Sequence, residues 1–217
     1  MKNFLKRTKT IAGILSEYFS RRGEFATRQI GDGDALCGFL ETRSSHVAQT
    51  ALYGYIRTRA GSRFPELFEN DAFIEAINIA KWQMWVACLS DLSVYAGRQI
   101  RRESEADTET VDRIMGRVVA QILDRTGVPE DAGDQFSEST DLLVARLRET
   151  NWEESEDEAA FTVSPDALVY WAPIVDELKE LDSEIVRNSV RFRWHEVRRE
   201  LRQSLDVQGI LADMRAV

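Results

Sequence analysis

The sequence predicts an all-α protein, a compact bundle of six to eight helices with a long buried central helix and a long C-terminal helix. Apolar residues recur at helical spacing in most segments of the 217-residue chain. No run of alternating β-branched residues is bounded by hairpin turns. With 43% hydrophobic residues and only 4 Pro and 12 Gly, the chain has the composition of a folded domain. We expect an amphipathic helix in residues 1–22, followed by one helical domain in residues 23–217.

The N-terminal segment is predicted to be a basic amphipathic helix over residues 2–22. At about 100° per residue, its apolar side chains form a narrow stripe and its lysines lie opposite. Such a helix suits an anionic bilayer surface or a groove on a partner. Packing against the protein's own core is the structural alternative. The apolar stripe is Phe4, Ile11, Leu15 and Tyr18, and the basic face is Lys2, Lys6 and Lys9.

Start and stop signals define the next two helices. The first of them begins near Asp34, which is a good N-cap residue, and ends before Gly61. The other runs from Asn70 or Asp71 to about Gly97. Because this second helix is apolar on nearly all faces, we predict that it is the buried central helix.

The remaining helices follow weaker signals. An apolar stripe predicts a helix that ends at Gly127, and a shorter helix covers residues 138–149. Ser164 is predicted to cap the next helix, with Pro165 at its first position. Pro173 must break or kink this helix, because it has no backbone N–H to donate. The C-terminal helix then carries an apolar stripe that drifts along Leu178, Leu181, Ile185, Val190, Trp194, Val197 and Leu201.

Composition excludes several classes of function. The chain has 28 Lys and Arg against 37 Asp and Glu, a net charge of −9, which argues against a dedicated nucleic-acid binder. Two cysteines exclude a disulfide framework and a four-cysteine zinc site, and their spacing from the two histidines matches no zinc module. No apolar run is long enough to span a membrane. We expect a cytoplasmic protein, or one at the inner face of a membrane, with no metal and no cofactor.

Charge is distributed unevenly along the chain. Residues 1–30 carry seven basic and two acidic residues, whereas residues 101–160 carry seven basic and seventeen acidic residues. Such asymmetry indicates that the two regions meet different partners, or each other. Residues 151–160 are the most acidic part, and we predict a solvated acidic loop there.

Two arginine-rich segments are predicted to bind anions or an acidic partner. In the first, arginines surround a helix end and could clamp a carboxylate or phosphate, although arginine there also suits the helix dipole. In the second, intervals of 4, 4, 3 and 4 place five residues on one stripe of the C-terminal helix. We expect this basic row to be exposed to an acidic partner or to phospholipid headgroups, unless the acidic loop folds back on it. The two sets are Arg57, Arg59 and Arg63, and Arg187, Arg191, His195, Arg198 and Arg202.

One region resembles a known family. The run Glu41–Gly61, together with Ile79–Trp82, resembles a poorly characterised family of small alphaproteobacterial proteins, some of which are labelled esterase. The resemblance implies a small hydrolase with a Ser/His site near residues 44–46. The chain has no Gly-x-Ser-x-Gly elbow, and on a helix Ser44 and Ser45 do not face His46 as a nucleophile faces its base.

The sequence therefore favours a helical interaction or assembly protein over an enzyme. It would dock to a larger protein complex or an anionic membrane surface through its basic N-terminal helix. The esterase-like hydrolase is the alternative, and no catalytic residue is assigned.

Overall fold

The computed structural model describes residues 29–215, and the fold there is all-α, as predicted. The predicted helix over residues 2–22 lies outside the described residues. The described chain begins with a parallel bridge between Ile30 and Leu205. Short 3₁₀ turns cover Gly61–Arg63 and Asp157–Ala160. The α-helices are α1 (Gly33–Ala60), the single turn α2 (Phe64–Leu67), α3 (Asp71–Arg102), α4 (Thr108–Thr126), α5 (Phe136–Glu149), α6 (Val163–Trp171), α7 (Asp176–Ser204) and α8 (Val207–Arg215).

Helix α1 begins one residue before the predicted start. Its N-cap is Asp32, whose carboxylate accepts a hydrogen bond from the backbone N–H of Ala35 at 2.6 Å. The residue we predicted near the cap, Asp34, instead accepts from Arg125 at 2.8 Å on α4. The helix ends at Gly61, whose φ of 57° lies in the region that favours glycine.

Helix α3 is the buried centre of the bundle, as the sequence predicts. Asn70 caps it by accepting hydrogen bonds from two backbone N–H groups, and every residue from Gln83 to Ile100 is buried. Helices α1, α4, α5 and α6 all pack against it. The helix continues past the predicted end at Gly97 to Arg102, and Arg101 and Arg102 pair with the acidic segment.

A buried carboxylate of α3 caps helix α6. Asp91 is fully buried, and its Oδ1 accepts from Arg146 at 2.7 Å and from the N–H of Val163 at 3.1 Å. Its Oδ2 accepts from the N–H of Ser164 at 2.8 Å. The predicted capping role of Ser164 is therefore wrong. That residue lies inside the first turn, where its hydroxyl accepts from the indole N–H of Trp194 at 3.0 Å.

The acidic segment 151–160 has exposed carboxylates, as we predicted, but it is anchored to the bundle rather than free in solvent. Its Trp152 is only 2% exposed and packs against Gly97, where an added Cβ would lie 2.3 Å from the indole ring. The indole N–H donates to Asp112 at 2.5 Å. Because buried apolar side chains hold the segment on α3, its carboxylates lie close to the arginines of that helix.

Helices α6 and α7 are separate, as Pro173 predicts. Helix α6 ends at Trp171, and α7 begins at Asp176. Helix α7 packs on α6 and α1 through one face. The buried apolar residues of this face are Val186, Val190, Trp194, Val197 and Leu201.

We predict that Gly97→Ala destabilises the protein by about 1–3 kcal/mol, because a methyl group overpacks the contact with Trp152. The matched control is Gly116→Ala, since a Cβ at that helical position meets no atom within 4 Å. The control should stabilise the protein by about 0.5–1 kcal/mol. Urea unfolding followed by circular dichroism measures both values. If both substitutions changed the free energy of unfolding equally, the packing of Trp152 would not depend on a glycine at position 97.

We predict that Asp91→Asn lowers the free energy of unfolding by roughly 3–5 kcal/mol, because it leaves the Arg146 charge without its buried partner. Asp141→Asn, at an exposed position of α5, is the control and should change stability by about 0.5 kcal/mol or less. Chemical unfolding measures the free energy of unfolding of both variants. If Asp91→Asn unfolds at the same denaturant concentration as the control, the carboxylate does not hold α6 in place.

Candidate interaction surface

The outer face of α7 exposes large apolar side chains. Leu181, Ile185 and Phe192 are 75%, 74% and 76% exposed, and we call these three residues the outer stripe. At about 100° per residue they fall within about 40° of one another, on the side opposite the buried face. Single exposed apolar side chains are common, whereas three on one face of a helix make that face a candidate interaction surface.

The sequence placed two members of the outer stripe wrongly. We predicted that Leu181 and Ile185 continue the apolar stripe that leads to Val190 and Leu201. Measured around the helix axis, Val190 lies about 180° from Leu181, so one helix carries two apolar faces. The structure buries the Val190 face and leaves the Leu181 face exposed. The signal in the sequence was the drift of the predicted stripe: its first residues and its last residues lie on opposite sides of the helix, and this could have revealed two faces.

Charge changes sign along the outer face. The exposed residues beside the first half of the outer stripe are acidic, and those beside the second half are mostly basic. Arg191 donates to Asn188 at 3.0 Å, and Arg199 lies 4.0 Å from Glu196. The ring of His195 lies 5.9 Å from the ring of Phe192. The acidic residues are Glu177, Glu180 and Glu184, and the basic ones are Arg191, His195 and Arg199.

The predicted anion clamp at the end of α1 holds a carboxylate of the protein itself. Arg59 makes a bidentate ion pair with Asp182 of α7, and the hydroxyl of Tyr55 donates to the same carboxylate at 3.1 Å. The Arg59 guanidinium lowers the pKa of Asp182. Burial, and then the neighbouring carboxylate, raise the pKa of Tyr55 to about 12. Arg57 and Arg63 are exposed and make no ion pair with another described residue.

The predicted basic row of α7 is largely occupied by carboxylates of the same chain. Arg187 donates to Asp166 at 2.5 Å. The acidic segment folds back on the end of the row, where Arg198 lies 3.8 Å from Glu158 and Arg202 lies 3.0 Å from Asp157.

Exposure divides the same basic row into two groups. We expected the row to be exposed, and this is wrong for Arg198, which is only 9% exposed and lies above the ring of Phe161. Arg191 and His195 remain on the exposed side of the helix. The structure therefore separates the row into three arginines that pair with carboxylates of the domain and an outward-facing pair, Arg191 and His195, beside the outer stripe.

Within the described residues, Ser44 and Ser45 do not face the imidazole of His46 as a nucleophile faces its base. Ser44 is fully buried, and its Oγ has no hydrogen-bond partner among the described residues. His46 lies on the exposed side of α1, and Ser45 is partly exposed. Since the helix separates Ser44 from the imidazole, this segment does not supply the nucleophile and base that an esterase requires.

The cysteines and histidines do not converge either. Cys37 and Cys88 are buried in α1 and α3, whereas His46 and His195 are exposed on α1 and α7. Within residues 29–215, no group of three or more His, Cys, Asp and Glu side chains is placed to hold a metal ion.

A cleft of about 780 Å³ opens where the described chain begins, between α1, α4, α7 and α8. Its lining is mixed, with Phe39 and Met214 beside charged residues. Several of these charged residues already have partners in the domain: Arg43 pairs with Glu200, and Asp213 accepts from the N–H of Gly33 at 2.9 Å. We therefore assign no ligand to this cleft.

None of the helices within the described part of the chain is long and apolar enough to cross a membrane. No protein-family model, curated protein sequence or solved structure matches the chain. The resemblance of residues 41–61 to the alphaproteobacterial family therefore stays a prediction, and the function has to be argued from the outer face of α7.

Proposed function

We propose that this protein is a helical interaction protein that docks onto a partner protein through the outer face of α7. The observation that carries the proposal is the outer stripe, three large apolar side chains that are about three-quarters exposed on one face of a helix. Covering such side chains stabilises a complex by roughly 25 cal/mol per Å² of apolar surface removed from water. An exposed apolar face therefore favours association.

The helix that carries the outer stripe is held in place from both sides. In its first half, Asp182 accepts a hydrogen bond from Tyr55 of α1. In its second half, the indole N–H of Trp194 donates to the hydroxyl of Ser164 on α6. A rigid helix loses little conformational entropy when a partner covers it. The outer stripe is thus a preorganised surface.

Charge favours a protein partner over an anionic bilayer for this surface. Residues 1–28 carry seven basic and two acidic residues, and the rest of the chain has a net charge of −14. Glu177, Glu180 and Glu184 beside the outer stripe would be repelled by anionic lipids. Arg191 and Arg199 offset only part of this negative charge, because Glu196 lies beside Arg199, and Arg187 and Arg202 are paired inside the domain.

The basic residues 2–22 are the second docking element of the proposal. Their sequence pattern suits an acidic surface, and the sign of their charge is opposite to that of the domain. We propose that they bind an acidic surface of the same partner complex. The hydrolase alternative has no comparable support, since Ser44 is buried and its nearest histidine is on the exposed side of α1.

Photo-crosslinking in the native host tests the proposal on the full chain. A photoreactive residue is placed at Ile185, within the outer stripe, or at the control position Leu142, an exposed leucine of α5. We expect a discrete protein crosslink from position 185 that position 142 does not give, and we expect Phe192→Asp to weaken it roughly tenfold. Identical crosslinking patterns from both positions would show that the outer stripe binds no specific partner.

Vesicle flotation tests whether residues 2–22 bind an anionic membrane instead of a protein. We expect the full chain to stay with the soluble fraction when it is mixed with phosphatidylcholine vesicles containing phosphatidylglycerol. The triple substitution of Lys2, Lys6 and Lys9 by Glu is the matched variant. Flotation of the natural chain that this variant loses would mean that residues 2–22 bind lipid, and the proposal of a protein target for them would be wrong.

A further inference from the structure

Two pairs of opposite charges on the outer face of α7 are arranged almost symmetrically about Asn188. Glu177 lies eleven residues before Asn188, and Arg199 lies eleven residues after it. Glu184 and Arg191 lie four residues before it and three after it. All four charged residues are exposed, and each of these acidic residues has a basic residue within one position of its mirror position. Glu180 and Glu196 lie eight residues on either side of Asn188 and carry the same charge, but they are about 160° apart around the helix.

Two of the three residues of the outer stripe follow the same symmetry, whereas the mirror position of Leu181 is His195. Ile185 lies three residues before Asn188, and Phe192 lies four residues after it. A two-fold axis through Asn188 would therefore place Ile185 of one copy beside Phe192 of the other. A face of this kind is complementary to itself, which is the requirement for an isologous contact between identical subunits.

We propose that the outer face of α7 binds a second copy of this chain, in an antiparallel helix pair centred on Asn188. This inference rests on the proposed function, because it names the partner of the same surface. In the antiparallel pair, Glu177 of each copy faces Arg199 of the other, and Glu184 faces Arg191. A parallel pair would place like charges opposite each other, which is destabilising.

Asn188 fits the centre of this contact. It is exposed, it lies between Ile185 and Phe192, and its side chain is the polar group on the symmetry axis. A polar asparagine within an apolar helix seam fixes register and orientation, because any shifted pairing buries it against apolar groups. In the proposed register, the two Asn188 side chains meet each other.

The size of the contact determines how strong the dimer is. The face from Glu177 to Arg199 is about 33 Å long and about 10 Å wide. This contact is smaller than the roughly 800 Å² that each partner contributes to a stable interface. We therefore expect a reversible dimer with a Kd in the micromolar range, about −8 kcal/mol, rather than an obligate one.

Sedimentation of the full chain over a range of micromolar concentrations tests the dimer. The mass of the natural chain should rise from the 24.8 kDa monomer toward twice that value. Glu184→Arg alone, or Arg191→Glu alone, should raise the Kd roughly tenfold or more, since each places like charges together at two symmetric positions. The double variant Glu184→Arg/Arg191→Glu should return to within roughly threefold of the natural Kd, because the exchanged charges face each other again.

Asp141→Arg, a charge reversal on the exposed side of α5, is the matched control and should leave the Kd unchanged. Circular dichroism checks that each variant is folded. A natural chain that stays at 24.8 kDa at every concentration overturns the dimer. A double variant that is no tighter than the single variants overturns the antiparallel register.

The identity of the molecule crosslinked to position 185 shows whether the dimer fails alone or the proposed function fails with it. A crosslink to a different protein, with a monomeric natural chain, overturns the dimer and keeps the proposed function. A crosslink to residues 2–22 of the same chain would mean that the outer stripe is an internal contact, and both proposals would be wrong. The absence of any crosslink likewise overturns both.

Discussion

The buried carboxylate of Asp91 is the interaction on which the placement of helix α6, and through it the proposed interaction surface, depends. It neutralises Arg146 inside the bundle and accepts hydrogen bonds from the first N–H groups of α6. Negative charge at this position also complements the N-terminal dipole of that helix. Helix α6 in turn supplies the hydroxyl of Ser164 that orients Trp194, the largest side chain on the inner face of α7. Through α6, this carboxylate of the central helix therefore contributes to the direction in which α7 presents its outer face.

The pairing between the acidic segment and the arginines has a similar organising role. Residues 151–160 would repel one another as a free loop, because half of them are acidic. The burial of Trp152 beside Gly97 holds the segment where its carboxylates meet Arg101, Arg102 and Arg202. These pairs are partly exposed, so each contributes little stability on its own. Their larger effect is on the surface, since they remove several arginines from the set that could bind an outside partner.

Helix α7 thus combines a structural face with an exposed apolar face. Its inner face is held by packing, by the Arg59–Asp182 clamp and by the acidic segment. Its outer face keeps three apolar side chains and a charge pattern that nothing within the described domain neutralises in full. This division supports the proposal of an interaction protein. A surface that serves only solubility would place charged residues at the positions of Leu181, Ile185 and Phe192.

The sequence by itself determined the helices. Apolar periodicity, Pro173, Gly61 and Gly127 act within a few residues, so they predict which segments are helical and where several of them end. The tertiary structure alone decided which of two apolar faces of α7 is buried, because both have the same local pattern. It also decided the cap of α6 and the partners of Arg59, Arg198 and Arg202, since those carboxylates lie tens of residues away in the chain. Long-range pairing depends on the packing of whole helices. The charge pattern of the sequence therefore raised the fold-back of the acidic segment only as an alternative, and the structure shows it at Arg198 and Arg202.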